Sequence, residues 1–323
     1  MSGSAQRGRT LRQLCRPVRC GSVLAATAAL VGCSVGPSAP AARSSPVVTP
    51  SATHTGLRPA APPPLAPPRL RQGSWRAVGS AVRGLDATYL ATIDHGQVAL
   101  LWMNPTVLRF RFIPGTQVPE SGPTRTIDNQ PSTWLPRLAA AFNGGFWLKD
   151  LHPGGYFYDA TMVKALVVGQ AAMVVTTDGR LTVGMWGRDL RLTRDVAAVR
   201  ENLPLLVDRY RDRAGTITGR TAWGRSSHGP LASNRSALGQ LSDGSLVYEY
   251  GYQVTPEQMA QGMLGVRARM AIMLDLNGSW PGGFVYWHRG SQLVGEKIHP
   301  LIYHDPSMYY TRWRKDFVVA LLS

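Results

Sequence analysis

Cysteine is confined to the first 33 positions of this chain: Cys15, Cys20 and Cys33 are the only three among 323 residues. The region that follows therefore contains no disulfide, no thiolate nucleophile and no cysteine-ligated metal. Lysine is equally scarce, with Lys149, Lys164, Lys297 and Lys315 the only four, and acidic residues number 19 against 35 for lysine plus arginine. The cationic surplus is thus carried by guanidinium groups. No apolar run approaches the roughly twenty residues needed to cross a bilayer as a helix. His152, His288, His299 and His304 are scattered without metal-ligand spacing, so neither a metal nor another cofactor is expected. A nucleophile elbow is missing, which leaves no basis for an esterase or peptidase of that type. Repeats of fixed period and aromatic-basic nucleic-acid motifs are missing too, so no nucleic-acid partner is expected.

What is present begins with a charged start. Arg7, Arg9, Arg12, Arg16 and Arg19 precede an apolar run from Gly21 to Gly32, about twelve residues and the length of a signal h-region. Leu30-Val31-Gly32-Cys33 closes that run and resembles the lipobox of bacterial lipoproteins, in which the cysteine is lipidated and becomes the first residue of the mature chain. That resemblance implies a signal peptide over 1–32, lipidation at Cys33, and an extracytoplasmic protein held to the cell membrane by its lipid. Residues 33–72, rich in Pro, Ala, Ser and Thr, cannot bury enough apolar surface to order themselves and read as a disordered, semi-rigid tether. Residues 73–323 are long enough for one substantial core and read as a single domain. Setting aside the five leader arginines lowers the formal charge from +16 to +11, which favours anionic partners such as phosphoglycans, phosphorylated sugars or lipid headgroups.

Within the domain, Thr88–Ile93 and Gln97–Met103 read as strands joined at Asp94-His95-Gly96. Val107–Ile113 alternates, with Arg109 and Arg111 on one face. Leu166–Val168, Ala172–Thr176 and Leu181–Trp186 read as a meander turning at Thr177–Arg180, and Ser236–Leu241 with Leu246–Tyr250 as a hairpin. Short helices are expected over Trp134–Ala140 and Val196–Asn202. A stronger helix spans Pro256–Leu264, with Thr255 as N-cap, Gln258 completing a capping box and Gly265 at its end. Strand Met270–Leu274 follows, ending at Asp275. The predicted fold class is α+β, with mixed and antiparallel sheets and a few flanking helices.

Three segments place polar residues beside glycines at the ends of apolar runs. Phe142-Asn143-Gly144-Gly145-Phe146-Trp147 suits a tight turn of positive φ whose N–H groups can approach a ligand. Ser233-Asn234-Arg235-Ser236-Ala237-Leu238-Gly239 presents an arginine fork suited to phosphate or carboxylate. Leu274-Asp275-Leu276-Asn277-Gly278-Ser279-Trp280 puts a carboxylate at a strand tip followed by a polar loop, where the same aspartate could also cap its own turn.

In this order and at these separations the three segments resemble the phosphodiester glycosidase family. Asn143–Trp147 matches its Asn-Gly-Gly-Phe-aromatic stretch and Arg235–Gly239 its Arg-Thr/Ser-Ala-Ile/Leu-Gly stretch. Pro204–Val207 is similar to its Pro-Leu-Leu-Val strand, and Arg314–Val319 to its closing Arg-Asp-Phe-Phe strand. The resemblance covers roughly Ala140–Leu322. It departs at the third motif, where Leu276 and Asn277 replace two glycines. It implies a hydrolase cleaving a sugar from a glycosyl phosphodiester in envelope glycans, with Asp275 as base or stabiliser of the oxocarbenium-like state. Arg235, aided by Lys164 or His152, would hold the phosphate. Asn143, Gly144, Gly145, Asn277 and Ser279 would bind substrate, and Trp147 or Trp280 would stack on the sugar. Glycoside cleavage normally needs a second acid; Asp159, Glu201, Asp208 and Glu249 are the candidates. A rival of a different class is a non-catalytic lipoprotein that binds wall polymer with the same fold.

Overall fold

The computed structural model of the chain describes residues 64–116, 131–148, 154–217, 222–224, 232–311 and 313–323. The chain divides into Met1–Ala60 and Ala61–Ser323, and only the second contains described residues. The leader, Cys33, the tether up to residue 63, and His152 therefore lie outside them.

In chain order the strands are β1 (Arg76–Val82), β2 (Leu85–Ile93), β3 (Val98–Met103), β4 (Leu108–Ile113), β5 (Leu138–Asn143) and β6 (Tyr156–Tyr158). There follow β7 (Thr161–Lys164), β8 (Ala171–Thr176), β9 (Leu181–Met185), β10 (Val196–Glu201), β11 (Leu205–Asp208) and β12 (Arg211–Asp212). After β13 (Ser233–Gln240) and β14 (Leu246–Val254) comes helix α1 (Pro256–Gly265), then β15 (Met270–Leu276), β16 (Gly283–Arg289), β17 (Gln292–Lys297) and β18 (Phe317–Leu322). They form an eight-stranded sheet (β1-β2-β3-β14-β13-β15-β11-β12) and two five-stranded sheets, β7-β6-β10-β8-β9 and β17-β16-β5-β18-β4.

This corrects the expected α+β class. Every pairing between these strands is antiparallel, and α1 is the only α-helix among the described residues. The result is a β-rich sandwich. Two expected helices are strands for tertiary reasons. Val196–Glu201 is paired on both sides, by β6 and β8, and neighbouring strands override its neutral local preference. Trp134–Ala140 holds only a 3₁₀ turn at Leu135–Arg137. Beyond it Leu138–Asn143 is buried throughout and lies between β16 and β18. A short apolar run of this kind carries no periodicity that separates helix from strand. Leu166–Val168 is a connection and not a strand.

The patterning explains the layers. Ala99, Leu101 and Met103 of β3, Leu238 of β13 and Leu274 of β15 face a core shared with the two smaller sheets. Val98, Leu100 and Trp102 face the other way, with Ala237, Ala271 and Met273, toward α1. A strand buried on both faces reads as a continuous apolar run, as Val98–Met103 does. Helix α1 begins as its sequence specifies: the Thr255 side chain accepts from the Gln258 N–H, and Gln258 accepts from the Thr255 N–H in return. It buries Met259, Ala260 and Met263. Leu65 and Leu70, in the stretch assigned to the tether, also pack against this outer cluster.

Beneath α1 lies an anomaly. Glu249 is completely buried, and neither carboxylate oxygen has a hydrogen-bond partner. A Cβ added to Gly262 would lie 2.2 Å from Glu249 Oε1, so the helix is seated directly on the carboxyl. Burial pushes that carboxyl well above the ordinary range. The folded state therefore holds a proton that the unfolded chain releases near pH 4.3. Glu249 is least costly below that pH, and its contribution to stability is lost as pH rises toward the folded-state value. Glu249→Gln is expected to unfold at higher urea than the parent at pH 8, the gap closing below about pH 4. A gap that does not change with pH would show that Glu249 is not the group responsible.

Candidate functional site

The strand tip that carries Asp275 is shaped by an irregularity in the ladder. Ser236 pairs with Asp275 while the next residue, Ala237, pairs with Met273, so Leu274 is an extra residue in β15. Such a bulge reverses the side-chain alternation. Met273 faces α1, yet Asp275 turns inward with Ser236. Bulges leave backbone groups without ladder partners, and here one side chain collects two of them: Asn202 Nδ2 donates to Met273 O (2.6 Å) and Leu274 O (2.7 Å).

Asp275 is 2% exposed. Its Oδ2 accepts a hydrogen bond from Lys315 Nζ, and its Oδ1 accepts from the Leu276 N–H at 2.8 Å. Burial pushes the carboxyl up from its usual range; the opposing pull comes from Lys315, and nearby Asp316 raises it further. The Lys315 ammonium lies 4.7 Å from the Trp280 ring centre and 5.3 Å from that of Trp147, in cation–π reach of both.

The Asn143 motif meets this pair through the approach to β18. Asn143 pairs with Phe317, and the Gly144 N–H donates to Asp316 O at 2.9 Å. The Asn143 carboxamide is engaged at both ends: Oδ1 accepts from Tyr248 OH (2.8 Å) and the Gly282 N–H (3.1 Å), and Nδ2 donates to Gly144 O. Neither Gly144 nor Gly145 has positive φ, which corrects the turn expected there. They are glycines because of crowding. A Cβ on Gly144 would lie 2.7 Å from Asp316 Cγ, and one on Gly145 2.8 Å from Arg200 Cζ. These two groups form a buried ion pair, Arg200 Nε to Asp316 Oδ2, at 2.6 Å.

Arg235 is placed differently. It pairs with Leu276, one step beyond the Ser236–Asp275 pair, and successive strand residues face opposite sides. Its guanidinium is buried on the α1 side, donating to Val254 O (3.1 Å), Trp223 O (3.0 Å) and Met273 Sδ (3.4 Å); burial pushes its pKa down to about 10. The acidic tip and the amide turn thus come together while the Arg235 fork lies across the sheet from them. Lys164 donates to Leu148 O at 3.0 Å, just beyond Trp147.

None of the four candidate second acids adjoins Asp275. Asp159 is exposed, Asp208 pairs with Arg188, and Glu249 lies under α1. Glu201 accepts from the Gly155 and Val167 N–H groups, and burial pushes its carboxyl to about 7. The acid electrostatically coupled to Asp275 is Asp316, which sequence reasoning missed along with Lys315 and Arg200. The Arg-Lys-Asp-Phe run held the signal for the first two.

An open cleft of about 630 Å³ adjoins this centre, lined by Asn277, Gly278, Ser279, Trp280, Tyr303, His304, Trp313 and Arg314. Ring centres follow one another from Trp147 to Trp280 (6.1 Å), Trp313 (6.0 Å) and His304 (4.9 Å). The Arg314 guanidinium lies 5.1 Å from the Trp280 ring centre. Aromatic faces beside cations and small polar groups suit a sugar that carries negative charge. Burial, with Lys297 and Arg314 nearby, pushes the His304 pKa down. Among the described residues no group of His, Cys, Asp and Glu could hold a metal ion.

No protein-family profile matches the chain, and no curated protein sequence matches it. Among solved structures, it is similar to the zebrafish N-acetylglucosamine-1-phosphodiester alpha-N-acetylglucosaminidase catalytic domain auto-inhibited by its pro-peptide. There the identity is 16% and the TM-score 0.45, over 78% of this chain and 88% of that one. A hypothetical protein from Synechocystis is similar at 12% identity and TM-score 0.38, over 77% of this chain and 62% of that one.

Asn277 marks the departure in the third motif. It adopts φ = 143°, a backbone state that suits glycine and costs other residues about 1–3 kcal/mol. Its Oδ1 accepts from the Ser279 N–H (3.0 Å) and hydroxyl (3.3 Å), which holds the loop. Asn277→Gly is expected to be neutral or stabilising by about 1 kcal/mol in urea denaturation, since relief of strain opposes loss of the Asx turn. A loss above about 2 kcal/mol would show the side-chain bonds to be the stronger effect.

Proposed function

We propose that the chain is a hydrolase that cleaves a sugar from a glycosyl phosphodiester. The observation that carries this reading is the Asp275–Lys315 pair, held under Trp147 and Trp280 at the edge of an aromatic, cationic cleft. In the reaction the bond from anomeric carbon to phosphate oxygen breaks, and its electron pair leaves on the phosphomonoester. Water supplies the hydroxyl that replaces it, and Asp275, whose burial raises its proton affinity, accepts the water's proton. Lys315 and Arg314 offset the charge of the phosphate. Because that leaving group is stable as an anion, little general-acid help is needed. Asn277 and Ser279 line the wall where sugar hydroxyls would lie. Asn143, Gly144 and Gly145 position the β18 approach, and Arg235 braces β15 from behind.

The arginine-rich start, the short apolar run and Leu30–Cys33 support export and lipid anchoring at Cys33, with an anionic envelope glycan as substrate. A second reading, a binder of anionic wall polymer without catalysis, is favoured by the closure of Asp275, which is 2% exposed and capped by Lys315.

An aryl phosphodiester of N-acetylglucosamine separates the two. The hydrolase is expected to release free sugar, and Asp275→Asn to lower turnover at least about 100-fold. That variant also strands a buried ammonium, a cost of about 3–5 kcal/mol. Asp275→Asn/Lys315→Met should recover much of the lost stability without recovering turnover. Sugar release by the double variant at the parental rate would remove both residues from the chemistry. Salt-sensitive polymer binding with no release by the parent would establish the binder.

A further inference from the structure

A second concave surface lies at the far end of the β5–β18–β4 sheet. The cleft beside Trp280 adjoins the Phe317 end of β18; Leu321, at the other end, pairs with Arg109 of β4. Four steps along a strand separate the two ends by about 13 Å. Here a groove of about 670 Å³ runs between β4 and the sheet containing β8 and β10. Arg109 and Arg111 of β4, Arg137 at the entry to β5, and Arg194 before β10 line it, with Tyr158 among them. All four arginines are exposed.

Their charge is largely uncompensated. Arg111, Arg137 and Arg194 make no ion pair among the described residues, and Arg109 is bonded only to the Pro105 and Leu108 carbonyls. Two acids line the same groove: Asp178 is already paired with Arg180 (3.0 Å), which leaves Asp159. Four arginines from three separate segments line one hollow with a single spare carboxylate, and their like charges oppose one another unless an anion is bound among them. Each offers a planar fork suited to phosphate. A single phosphate engages one or two forks; a chain of phosphates meets all four. The half-buried Tyr158 ring, 6.3 Å from and nearly parallel to Tyr156, adds an apolar face of the kind sugars and polyols cover.

We infer that this groove binds an extended polymer of phosphodiester-linked sugars or polyols, and holds the length of chain that continues beyond the unit at Asp275. The binding surface stands on the arginines alone. Its role in feeding Asp275 rests on the hydrolase reading.

The test uses the full chain and fluorescent poly(glycerol phosphate), which has no glycosidic bond and so reports binding without cleavage. Arg111→Gln/Arg137→Gln/Arg194→Gln is expected to bind at least about tenfold more weakly in anisotropy titrations, with a shallower salt dependence. Hydrolysis of the small aryl phosphodiester should be unchanged in the same variant. Equal polymer affinity in parent and triple variant overturns the proposal. So does displacement by inorganic phosphate at matched phosphate concentration, which would mean a site for one phosphate. Equally tight, arginine-dependent binding of oligothymidylate or of phosphatidylglycerol vesicles would replace the assigned ligand with nucleic acid or membrane. If no form of the protein cleaves the small substrate, the hydrolase reading fails while the titrations still decide the groove.

Discussion

The buried Arg200–Asp316 ion pair is the contact on which the site's geometry depends. Arg200 is 1% exposed and sits on β10, in the middle of its sheet. Its guanidinium reaches Asp316 at the start of β18, the Glu201 carbonyl (2.7 Å), and the Phe146 carbonyl in the turn after β5. Two residues on, Asn202 holds the bulge in β15. Arg200 on β10 and Asn202 just beyond its end therefore tie all three sheets together. Burying such a pair is costly in desolvation and repays only when the remaining donors are satisfied. Here each guanidinium nitrogen has an acceptor, so the arrangement tolerates little displacement.

Much of the surrounding sequence answers to this contact. Gly144 and Gly145 pass so close to Asp316 and Arg200 that a methyl group would collide with either. With the turn pinned, the Gly144 N–H holds the Asp316 carbonyl, and Lys315 is carried to Asp275 from the preceding position. The bulge performs the matching step on the other side. Were β15 regular here, Leu274 would sit opposite Ser236 and the carboxylate would share the α1 side with Met273, across the sheet from Lys315. An ion pair in one sheet and a ladder irregularity in another thus aim the two charged groups at each other.

Some of this was legible in the sequence and some was not, for identifiable reasons. The capping box at Thr255–Gln258 is local chemistry, and the helix starts there. The β4 alternation gave its exposed arginines directly. The Asn143-Gly144-Gly145 segment stood out correctly as unusual, but glycine is silent on whether it is needed for backbone angle or for clearance, and clearance is the answer here. Arg235 lies beside Ser236 in sequence and across the sheet from Asp275 in space, because pairing register and bulge decide facing and neither is written locally. Arg200 read as part of a helix, and its partner lies 116 positions away. The β-rich class was obscured in the same way: Val196–Glu201 and Leu138–Asn143 become strands only when their neighbours arrive.

The scarcity of lysine acquires a meaning in this light. In a chain whose cations are overwhelmingly arginine, the lysines whose side chains can be followed are each anchored. Lys164 Nζ bonds the Leu148 carbonyl, Lys297 Nζ the Ile302 carbonyl (2.9 Å), and Lys315 the Asp275 carboxylate. Apart from the buried Arg200 and Arg235, arginine largely serves the surface, including the groove around Arg111. At position 315 the two cations are not equivalent. The space is bounded by two indole rings at 4.7 and 5.3 Å and a single carboxylate oxygen. A compact ammonium places its charge at that point, whereas a planar five-donor fork is longer and needs more acceptors than the pocket supplies. An ammonium can also change its hold on Asp275 by rotating about a flexible stem, which a guanidinium bonded at both ends resists. The residue that pairs with the buried acid is thus drawn from the chain's rarest cation for a reason of shape, while Arg314 next to it, facing the open cleft, is drawn from the commonest.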